Sequence, residues 1–410
     1  MKNIILNEKY SSSNIFLEKA KGDKIFLKNK SFLDMSFCNG VMLLGHNNKI
    51  YKESIKKYLQ RNFSIFSNPN TQAIKLSKTL KYFFPKFKKI VFCNSGSESV
   101  IKAIRLSRAT NIKKKLVLVT GSWHGSTDQT LFYPKKNLSP ESLSAGLKDS
   151  DKKDVIFIPY NNINDSKKIL DKHFKNINCI LIEPVMSSLP IKNGKPYLKF
   201  LEKYCKSRNI NLIFDEIITG FRSKNGSVQK QYKIKPDITL VGKVLGGGLP
   251  IAAIGITDKI YKNLQKTKKK VFFGGTFSAN TFSTFVGNDA ISFIKKNDQL
   301  IKNLIAKCKY FEDKINYFIV ENKLPIKVYR FDSILRIVFT DKKIQSRVQR
   351  DFLEKKQVRS KQQFVKFLLK KNIIFPSNGV ILFSLMTSKK SIDHIIKSVS
   401  IGLKKYFNKK

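Results

Sequence analysis

Acidic residues are scarce in this chain of 410 residues, which has 29 Asp and Glu against 79 Lys and Arg. The resulting formal net charge of +50 could attract nucleic acid, an anionic membrane or acidic metabolites. The basic residues, however, are spread along the whole chain in short groups such as Lys113–Lys115 and Lys268–Lys270. This distribution is typical of a lysine-rich composition that covers an ordinary surface. Nucleic-acid binding is therefore the less favoured hypothesis, and salt-dependent retention on a polynucleotide would be its signature.

Cysteine is also sparse, and long apolar runs are missing. The five cysteines are scattered, and no two have the spacing of a metal site or a redox pair. We therefore expect buried thiols in a reducing compartment and no metal site. No apolar run reaches the ~18 residues of a membrane helix, and MKNIILNEKY lacks the long apolar core of a signal peptide. These absences predict a soluble, cytoplasmic protein without a membrane partner.

The length and the hydrophobic content indicate a folded protein of more than one domain. Hydrophobic residues make up 41% of the chain, which is typical of globular proteins. Residues 1–44 have the pattern of short strands and turns, and residues 45–295 alternate short apolar runs with helical patterns. From about residue 296 to residue 410 long amphipathic segments alternate with strand-like runs, which predicts a separate small α+β domain. Within it, the charged stretch Asp341–Lys361 is predicted to be a mobile loop.

The stretch from Asn211 to Pro250 carries the strongest chemical signal. One apolar run in it ends in Asp215 and Glu216, and a second run, Ile238–Val241, leads to Lys243. Such runs are typical of buried parallel strands, and ligands bind outside the carboxyl ends of these strands. A desolvated lysine forms a Schiff base readily, and a carboxylate that faces a ring nitrogen keeps that nitrogen protonated. Pyridoxal 5′-phosphate needs both groups, so this cofactor is one hypothesis; a strand-end acid and a surface lysine are the other.

A second stretch supplies a candidate anion site. The strand-like run Lys89–Phe92 leads into the small-residue loop Asn94–Ser99, and a helical pattern follows over Val100–Ala109. Backbone N–H groups at a helix N-terminus bind anions, and serine hydroxyls add donors. A plain helix cap in a serine-rich loop has the same pattern, so this motif by itself is weak.

Further candidates follow other apolar runs. Trp123, the only tryptophan, could stack on a flat cofactor, with packing in the core as an equal alternative. His124 beside it could contact the ring or the substrate, and Glu183 brings another carboxylate to a strand end. The glycine-rich loop FFGGTFSAN places Thr276 in a setting that suits a phosphate, although a simple connector would look the same.

Six motifs in a fixed order carry a family resemblance. Between Asn94 and Asn280 they are NSGSESVIKAIRLSR, GSWHG, LIEPV, LIFDEIITGFR, PDITLVGKVLGGGLPIAAIG and GGTFSAN. The set resembles the class III aminotransferases, which depend on pyridoxal phosphate, and it is most similar to their glutamate-1-semialdehyde aminomutase branch. The resemblance implies an α/β protein of fold type I, the aspartate-aminotransferase type. A large domain would contain a mostly parallel seven-stranded sheet. Both chain termini would contribute to a small domain.

The resemblance also implies roles for individual residues. Lys243 matches the lysine that holds the cofactor as a Schiff base, and Asp215 matches the acid paired with the ring nitrogen. Ser95, Gly96 and Ser97 match the phosphate-binding turn. Trp123 takes the place of the stacking aromatic, and His124 follows it. Glu183 and Ile217 match other residues that contact the ring. Thr276 matches a threonine that reaches the phosphate of the neighbouring subunit, which implies a homodimer.

Three segments depart from the aminomutase branch at places that face the substrate. The N-terminal segment YSSSNIFLEKAKGDK lacks the arginine that binds the substrate carboxylate in that branch. The segment Pro376–Ile381 lacks an acid, and Ser187-Ser188 stand where the branch has an asparagine. We therefore predict transfer of an amino group between an amino donor and an aldehyde or ketone. The aminomutase, which moves the group within one molecule to give 5-aminolevulinate, is the first alternative; a non-catalytic nucleic-acid-binding protein on the same fold is the remote one.

Arg336 is a further candidate for the substrate side. It lies in the strand-like run SILRIVF of the C-terminal part. It could bind a substrate carboxylate, and a surface or inter-domain salt bridge is the favoured alternative.

Overall fold

The computed structural model describes residues 17–61 and 64–408. The strands in these ranges are β1 (Lys19–Lys21), β2 (Lys24–Leu27), β3 (Lys30–Asp34), β4 (Lys89–Cys93), β5 (Lys115–Val119), β6 (Phe132–Pro134), β7 (Pro140–Ser142), β8 (Val155–Ile158), β9 (Ile177–Ile182), β10 (Asn211–Asp215), β11 (Ile238–Val241), β12 (Ala252–Ile256), β13 (Lys327–Phe331), β14 (Ile334–Val338), β15 (Ile373–Ile374) and β16 (Val380–Ile381). The helices are α1 (Lys49–Leu59), α2 (Thr71–Phe83), α3 (Gly96–Thr110), α4 (Asp149–Lys152), α5 (Ile163–His173), α6 (Lys195–Arg208), α7 (Val228–Tyr232), α8 (Asp258–Gln265), α9 (Thr281–Lys296), α10 (Asp298–Glu321), α11 (Arg347–Glu354), α12 (Val358–Lys370) and α13 (Lys389–Phe407).

A seven-stranded sheet forms the centre of the molecule, in the order β4-β12-β11-β10-β9-β5-β8. Neighbouring strands are parallel except around β12, which runs antiparallel to both β11 and β4. The carboxyl ends of β11, β10, β9 and β5 therefore lie side by side at one edge. In open α/β sheets this is the edge where ligands bind.

The two faces of this sheet are both buried. Along β9, Ile180 and Ile182 enter one apolar cluster, whereas Cys179 and Leu181 enter another. Successive side chains of a strand point to opposite faces, so a strand that is covered on both sides is apolar throughout. This explains why the apolar runs in the sequence are continuous rather than alternating.

Two smaller sheets involve the ends of the described chain. β1, β2, β3 and β15 form one sheet, and β13, β14 and β16 form the other. The short strands and turns that the sequence predicts here include an antiparallel hairpin of β2 and β3. Between this hairpin and α1, the segment Phe37–Gly40 forms a tight turn in which Phe37, Cys38 and Asn39 all have positive φ. The division of the chain at residues 44 and 295 stays a prediction.

The predicted loop Asp341–Lys361 is wrong in part, because α11 and the beginning of α12 lie inside it. Ser346 caps α11 and accepts a hydrogen bond from the backbone N–H of Gln349. The buried face of α11 consists of Arg350 and Glu354, which are 3% and 4% exposed. The apolar residues Val348 and Phe352 lie four positions apart but are 41% and 63% exposed, so the apolar pattern of this short helix does not mark its buried face.

No helix formed by residues 17–61 and 64–408 combines the length and the apolarity that a membrane span requires.

Candidate active site

A cavity of about 310 Å³ opens at the carboxyl edge of the large sheet. It is lined by Gly96, Ser97, Trp123, Gly125, Ser126, Glu183, Asp215, Ile217, Ile218 and Lys243. Most of these residues were candidates from the sequence. Gly125, Ser126 and Ile218 were not, although Gly125 belongs to the GSWHG motif and Ile218 follows the predicted contact Ile217.

Lys243 reaches the cavity from the end of β11. Gly242 follows the strand, and Lys243 opens a short 3₁₀ turn that runs to Gly246. Lys243 has φ +48°, in the left-handed region that residues other than glycine rarely adopt. Such strain persists only where the surroundings enforce it, and it clusters at functional sites. The backbone therefore directs this lysine into the cavity at a local conformational cost.

Asp215 lies at the end of the neighbouring strand, β10, and its carboxylate is held by two donors. Its Oδ2 is 2.8 Å from Nδ1 of His124, and its Oδ1 accepts a hydrogen bond of 3.1 Å from the N–H of Ile217. His124 is 4% exposed, and its Nε2 has no hydrogen-bond partner among the described residues. His124 is not a lining residue, so the structure places it behind Asp215, where it orients the carboxylate.

The adjacent acid, Glu216, points away from the cavity. Its carboxylate accepts hydrogen bonds from the Thr219 hydroxyl and from the backbone N–H groups of Val228 and Gln229, at 2.8 to 3.0 Å. Burial raises the pKa of Glu216. This acid caps α7, so of the two neighbouring acids only Asp215 belongs to the site.

Glu183 joins two of the strand-end loops. Its Oε2 accepts a hydrogen bond of 3.0 Å from the N–H of Trp123, and its Oε1 accepts one of 2.9 Å from the hydroxyl of Ser187. Burial, and then the negative charge of Asp215, raise the pKa of Glu183 and so favour its protonated form. Trp123 itself is 46% exposed, which excludes the alternative that it is a core residue.

The predicted anion site lies at the first turn of α3. Ser95 caps the helix by accepting a hydrogen bond of 3.1 Å from the N–H of Glu98, and it lies behind the lining residues. The hydroxyl of Ser97 accepts a bond of 3.0 Å from the N–H of Ser126. Gly125 has φ +76°, and a Cβ there would lie 2.4 Å from Oγ of Ser97. The two loops therefore approach closely because no side chain intervenes.

Thr276 is not brought to this cavity by the chain that carries it. It lies exposed in the segment between β12 and α9, where its carbonyl accepts a hydrogen bond of 3.2 Å from the hydroxyl of Ser67. The nearby carbonyl of Phe273 accepts one of 2.8 Å from Nζ of Lys102, a side chain of α3 that is also paired with Glu98. This contact was not expected from the sequence, because nothing local links the two segments.

The residues present fit pyridoxal 5′-phosphate. A volume of about 310 Å³ is within the range of small-molecule sites. The first turn of α3 has N–H groups without partners in the helix, which suits a phosphate. Lys243 and Asp215 line the same cavity from adjacent strands, and the indole of Trp123 is exposed beside them. An amine, an acid, a flat aromatic and an anion site are the four groups that this cofactor needs.

The chain was compared with known families and structures. The model of the family described as Aminotransferase class-III matches residues 5–397. The glutamate-1-semialdehyde 2,1-aminomutase of Wigglesworthia glossinidia brevipalpis is 33% identical over 340 residues, which cover 80% of this chain and 76% of that protein. The omega-transaminase from Sphaerobacter thermophilus has a TM-score of 0.87 at 21% identity, over 95% of this chain and 90% of that one. A glutamate-1-semialdehyde-aminomutase from Pseudomonas aeruginosa PAO1 has a TM-score of 0.86 at 16% identity, over 96% and 88%.

These findings agree with the architecture. The solved structures share the fold, and the mixed seven-stranded sheet confirms the predicted α/β class and fold type I. The match of the family model covers nearly the whole chain, including every strand of the large sheet. The chain therefore belongs to the class III aminotransferase family and is an enzyme that depends on pyridoxal phosphate.

Proposed function

We propose that this enzyme transfers an amino group from an amino donor to a separate aldehyde or ketone. Bound pyridoxal phosphate supplies the electron sink for this reaction. Lys243 would hold the cofactor covalently and, as a free amine, would move a proton at the reacting carbon of the substrate. Asp215 would accept a hydrogen bond from the ring nitrogen, and His124 keeps that carboxylate in place. The N–H groups at Gly96 and Ser97 would bind the phosphate.

The remaining lining residues complete the pocket for the ring. Trp123 and Ile217 both line the cavity and would cover the two faces of the ring. Glu183 holds the backbone of Trp123 in position through its hydrogen bond of 3.0 Å. Its raised pKa limits the negative charge near the ring, so that Asp215 remains the main anionic partner of the ring nitrogen.

The observation that carries the proposal is the meeting of Lys243 and Asp215 in one cavity at the ends of adjacent strands. The residues at the places that face the substrate favour transfer between two molecules over transfer within one molecule. Ser187 and Ser188, which stand where the aminomutase branch has an asparagine, bond to Glu183 and to the carbonyl of Gly121. In this chain they support the strand-end loops instead of offering an amide to a substrate. Residues 10–16 of the N-terminal segment lie outside the described residues.

The aminomutase activity is the second candidate. It is favoured by the relatives, since proteins 31% to 33% identical to this chain carry the name glutamate-1-semialdehyde 2,1-aminomutase. It predicts 5-aminolevulinate from glutamate-1-semialdehyde without any added amino donor.

Spectroscopy of the purified protein with pyridoxal phosphate tests the proposal. We expect the absorbance of a lysine-bound cofactor, fixation of the cofactor to residue 243 by borohydride, and loss of the absorbance when amino donors are added. Lys243→Ala is the control and should prevent fixation. A wild-type protein that stays colourless would overturn the proposal. Conversion of glutamate-1-semialdehyde without a donor, combined with no response to a donor panel, would establish the aminomutase instead.

We also propose a homodimer in the cytoplasm, with Thr276 of each subunit at the phosphate of the other. The exposed aromatic side chains of Phe272 and Phe277 flank Thr276, at 74% and 58% exposure, and a second copy would cover them. Sedimentation of the wild type and of Phe272→Glu measures this, because a charge in the interface should shift the mass towards that of a monomer.

A further inference from the structure

A buried arginine lies on the small sheet that flanks the cavity. Ile334, Arg336 and Val338 alternate along β14, so their side chains share one face of the strand. Ile334 packs in a cluster with Ile218, which lines the cavity. Arg336 is therefore on the face of the sheet that turns towards the site, and it is 6% exposed.

The guanidinium of Arg336 is incompletely satisfied. Its Nη1 donates a hydrogen bond of 2.7 Å to the carbonyl of Asn378, whereas its Nε is buried with no partner in the described part of the chain. Within those same residues no carboxylate lies within 4.0 Å of it. Burial, and then the charge of Arg350, lower the pKa of Arg336 to about 9. A buried cation without a counter-ion is costly, and proteins rarely retain one without a use.

Two carboxylates, Asp351 and Glu354, interact electrostatically with Arg336, but both are already paired with other residues. Asp351 pairs with Arg347 at 3.2 Å and also with Arg350. Glu354 pairs with Lys361 at 2.9 Å and accepts a hydrogen bond of 3.0 Å from the N–H of Phe339. Neither carboxylate is available to neutralise Arg336, so the region keeps an excess of positive charge.

This positive region borders the loops that carry the cavity residues. Arg350 donates a hydrogen bond to the carbonyl of Ser188, in the loop that begins at Glu183. A Cβ on Gly121, two residues before Trp123, would lie 2.8 Å from Cβ of Arg347. The arginines of α11 therefore contact the loops at the carboxyl ends of β5 and β9, and Arg336 interacts electrostatically with both of them.

The position of the Arg336 side chain is also closely defined. Gly379 has φ +74°, and a Cβ there would lie 3.0 Å from Nη2 of Arg336. The turn before β16 therefore leaves just enough room for the guanidinium. A planar fork held in this way suits a carboxylate, which it binds through two parallel hydrogen bonds.

We propose that Arg336 binds a carboxylate of the substrate, so that the enzyme acts on amino acids and oxo acids rather than on simple amines and aldehydes. This inference rests on the proposed function, since it names the substrate class of the same cavity. The carboxylate supplies the missing counter-ion of Arg336 and places the amino or carbonyl carbon towards Lys243.

Aminooxy compounds of graded length test the inference. Their nitrogen replaces the Lys243 amine on the cofactor carbon, and the absorbance of the lysine-bound cofactor falls. Aminooxyacetate, 3-aminooxypropanoate and 4-aminooxybutanoate are each compared with the alkoxyamine of the same chain without the carboxylate. For each chain length, the rate with the acid is divided by the rate with the matching alkoxyamine. This ratio is then divided by the same ratio for free pyridoxal phosphate, which removes the intrinsic difference in reactivity. Because both rates come from one protein sample, the ratio does not depend on the fraction of active protein.

We expect the wild type to favour at least one acid by about tenfold or more. Arg336→Met should lose this preference, and Arg336→Lys should keep part of it. Arg330→Met is the matched control, because Arg330 is also a buried arginine of this sheet but is paired with Glu312 at 2.7 Å. The Arg330→Met variant should show the same ratio of acid rate to alkoxyamine rate as the wild type.

Two results would overturn the inference: no preference of the wild type at any length, or an unchanged ratio in Arg336→Met. If Arg336→Met does not fold, Arg336→Lys takes its place, since it retains a charge without the fork and must lower the ratio. A wild-type protein without any cofactor absorbance would instead contradict the proposed function, so the two failures are distinguishable.

Discussion

The two sides of the cavity are built in different ways. The cofactor side consists of loops that leave four neighbouring strands of the large sheet, and its residues include Lys243 and Asp215. In our proposal the substrate side is formed by a separate three-stranded sheet and by α11, which carry Arg336 and Arg350. A rigid parallel sheet positions the cofactor for chemistry common to a family. Elements outside that sheet can change without disturbing it, which allows the substrate to differ.

Two arginines of the small sheet show the same difference at the level of side chains. Arg330 and Arg336 are 7% and 6% exposed and lie on neighbouring strands. Arg330 is neutralised by Glu312 and serves the packing of the sheet. Arg336 has no such partner among the residues described. Burial alone therefore does not distinguish these two arginines; the presence or absence of a counter-ion does.

Asp215→Asn would produce the largest expected effect on the cofactor side. The neutral amide cannot hold the ring nitrogen protonated, so we expect kcat to fall on the order of 10²–10³-fold. His124 still has an oxygen to bond, so the loop should keep its geometry. Transaminase kinetics with one donor and one acceptor measure the effect.

Glu216→Gln is the control for that substitution, because it changes the adjacent acid on the opposite side of the strand. It should leave kcat unchanged and reduce the free energy of unfolding by about 1–3 kcal/mol, since one acceptor in the α7 cap is lost. Equal losses of kcat in both variants would contradict the distinction between the two acids.

Substitution of the two arginines by methionine should change stability in opposite directions. Arg330→Met leaves Glu312 with only Lys192 at 3.5 Å and should cost about 2–3 kcal/mol. Arg336→Met removes an uncompensated buried charge and should be neutral or stabilising by about 1–2 kcal/mol. Urea unfolding of the cofactor-free proteins measures both. A large loss of stability in Arg336→Met would show that this arginine serves the fold.

Glu183→Gln should have the smallest effect, and that effect should depend on pH. Burial and Asp215 raise the pKa of Glu183 in the folded protein, so the folded state binds this proton more tightly than the unfolded state. The resulting stabilisation is present at low pH and is lost as the pH rises from the ordinary carboxyl pKa through the raised one. The free energy of unfolding of the variant, relative to the wild type, should therefore increase from pH 5 to pH 8. A constant difference would mean that Glu183 is ionised throughout.

Much of the cofactor side could be predicted from the sequence. The apolar runs Leu212–Phe214 and Ile238–Val241 predict buried strands, and both lie in strands of the large sheet. The sequence did not distinguish Asp215 from Glu216 by any local pattern, because both follow the same strand. Their difference comes from the alternation of side chains and from α7, which supplies two backbone donors to Glu216.

The substrate side could be predicted only in part. Arg336 was noticed as a candidate, but its burial and its missing partner depend on Asn378, Gly379 and α11, none of which is near it in the chain. The helix α11 lies where the charged sequence predicts a loop, and its buried residues are Arg350 and Glu354. Its apolar residues Val348 and Phe352 are exposed, so the spacing of apolar residues does not indicate which face of the helix is buried.

By itself the sequence determined the parallel sheet and the order of its strand-end residues, since continuous apolar runs and the turns after them are local properties of the chain. It also determined that a lysine and an acid follow strands of one sheet. Only the tertiary structure decided which acid enters the cavity, which arginine lacks a counter-ion and where the charged helix packs. These outcomes depend on contacts between segments far apart in the chain, and the energy of a buried charge is set by those neighbours rather than by the residue that carries it.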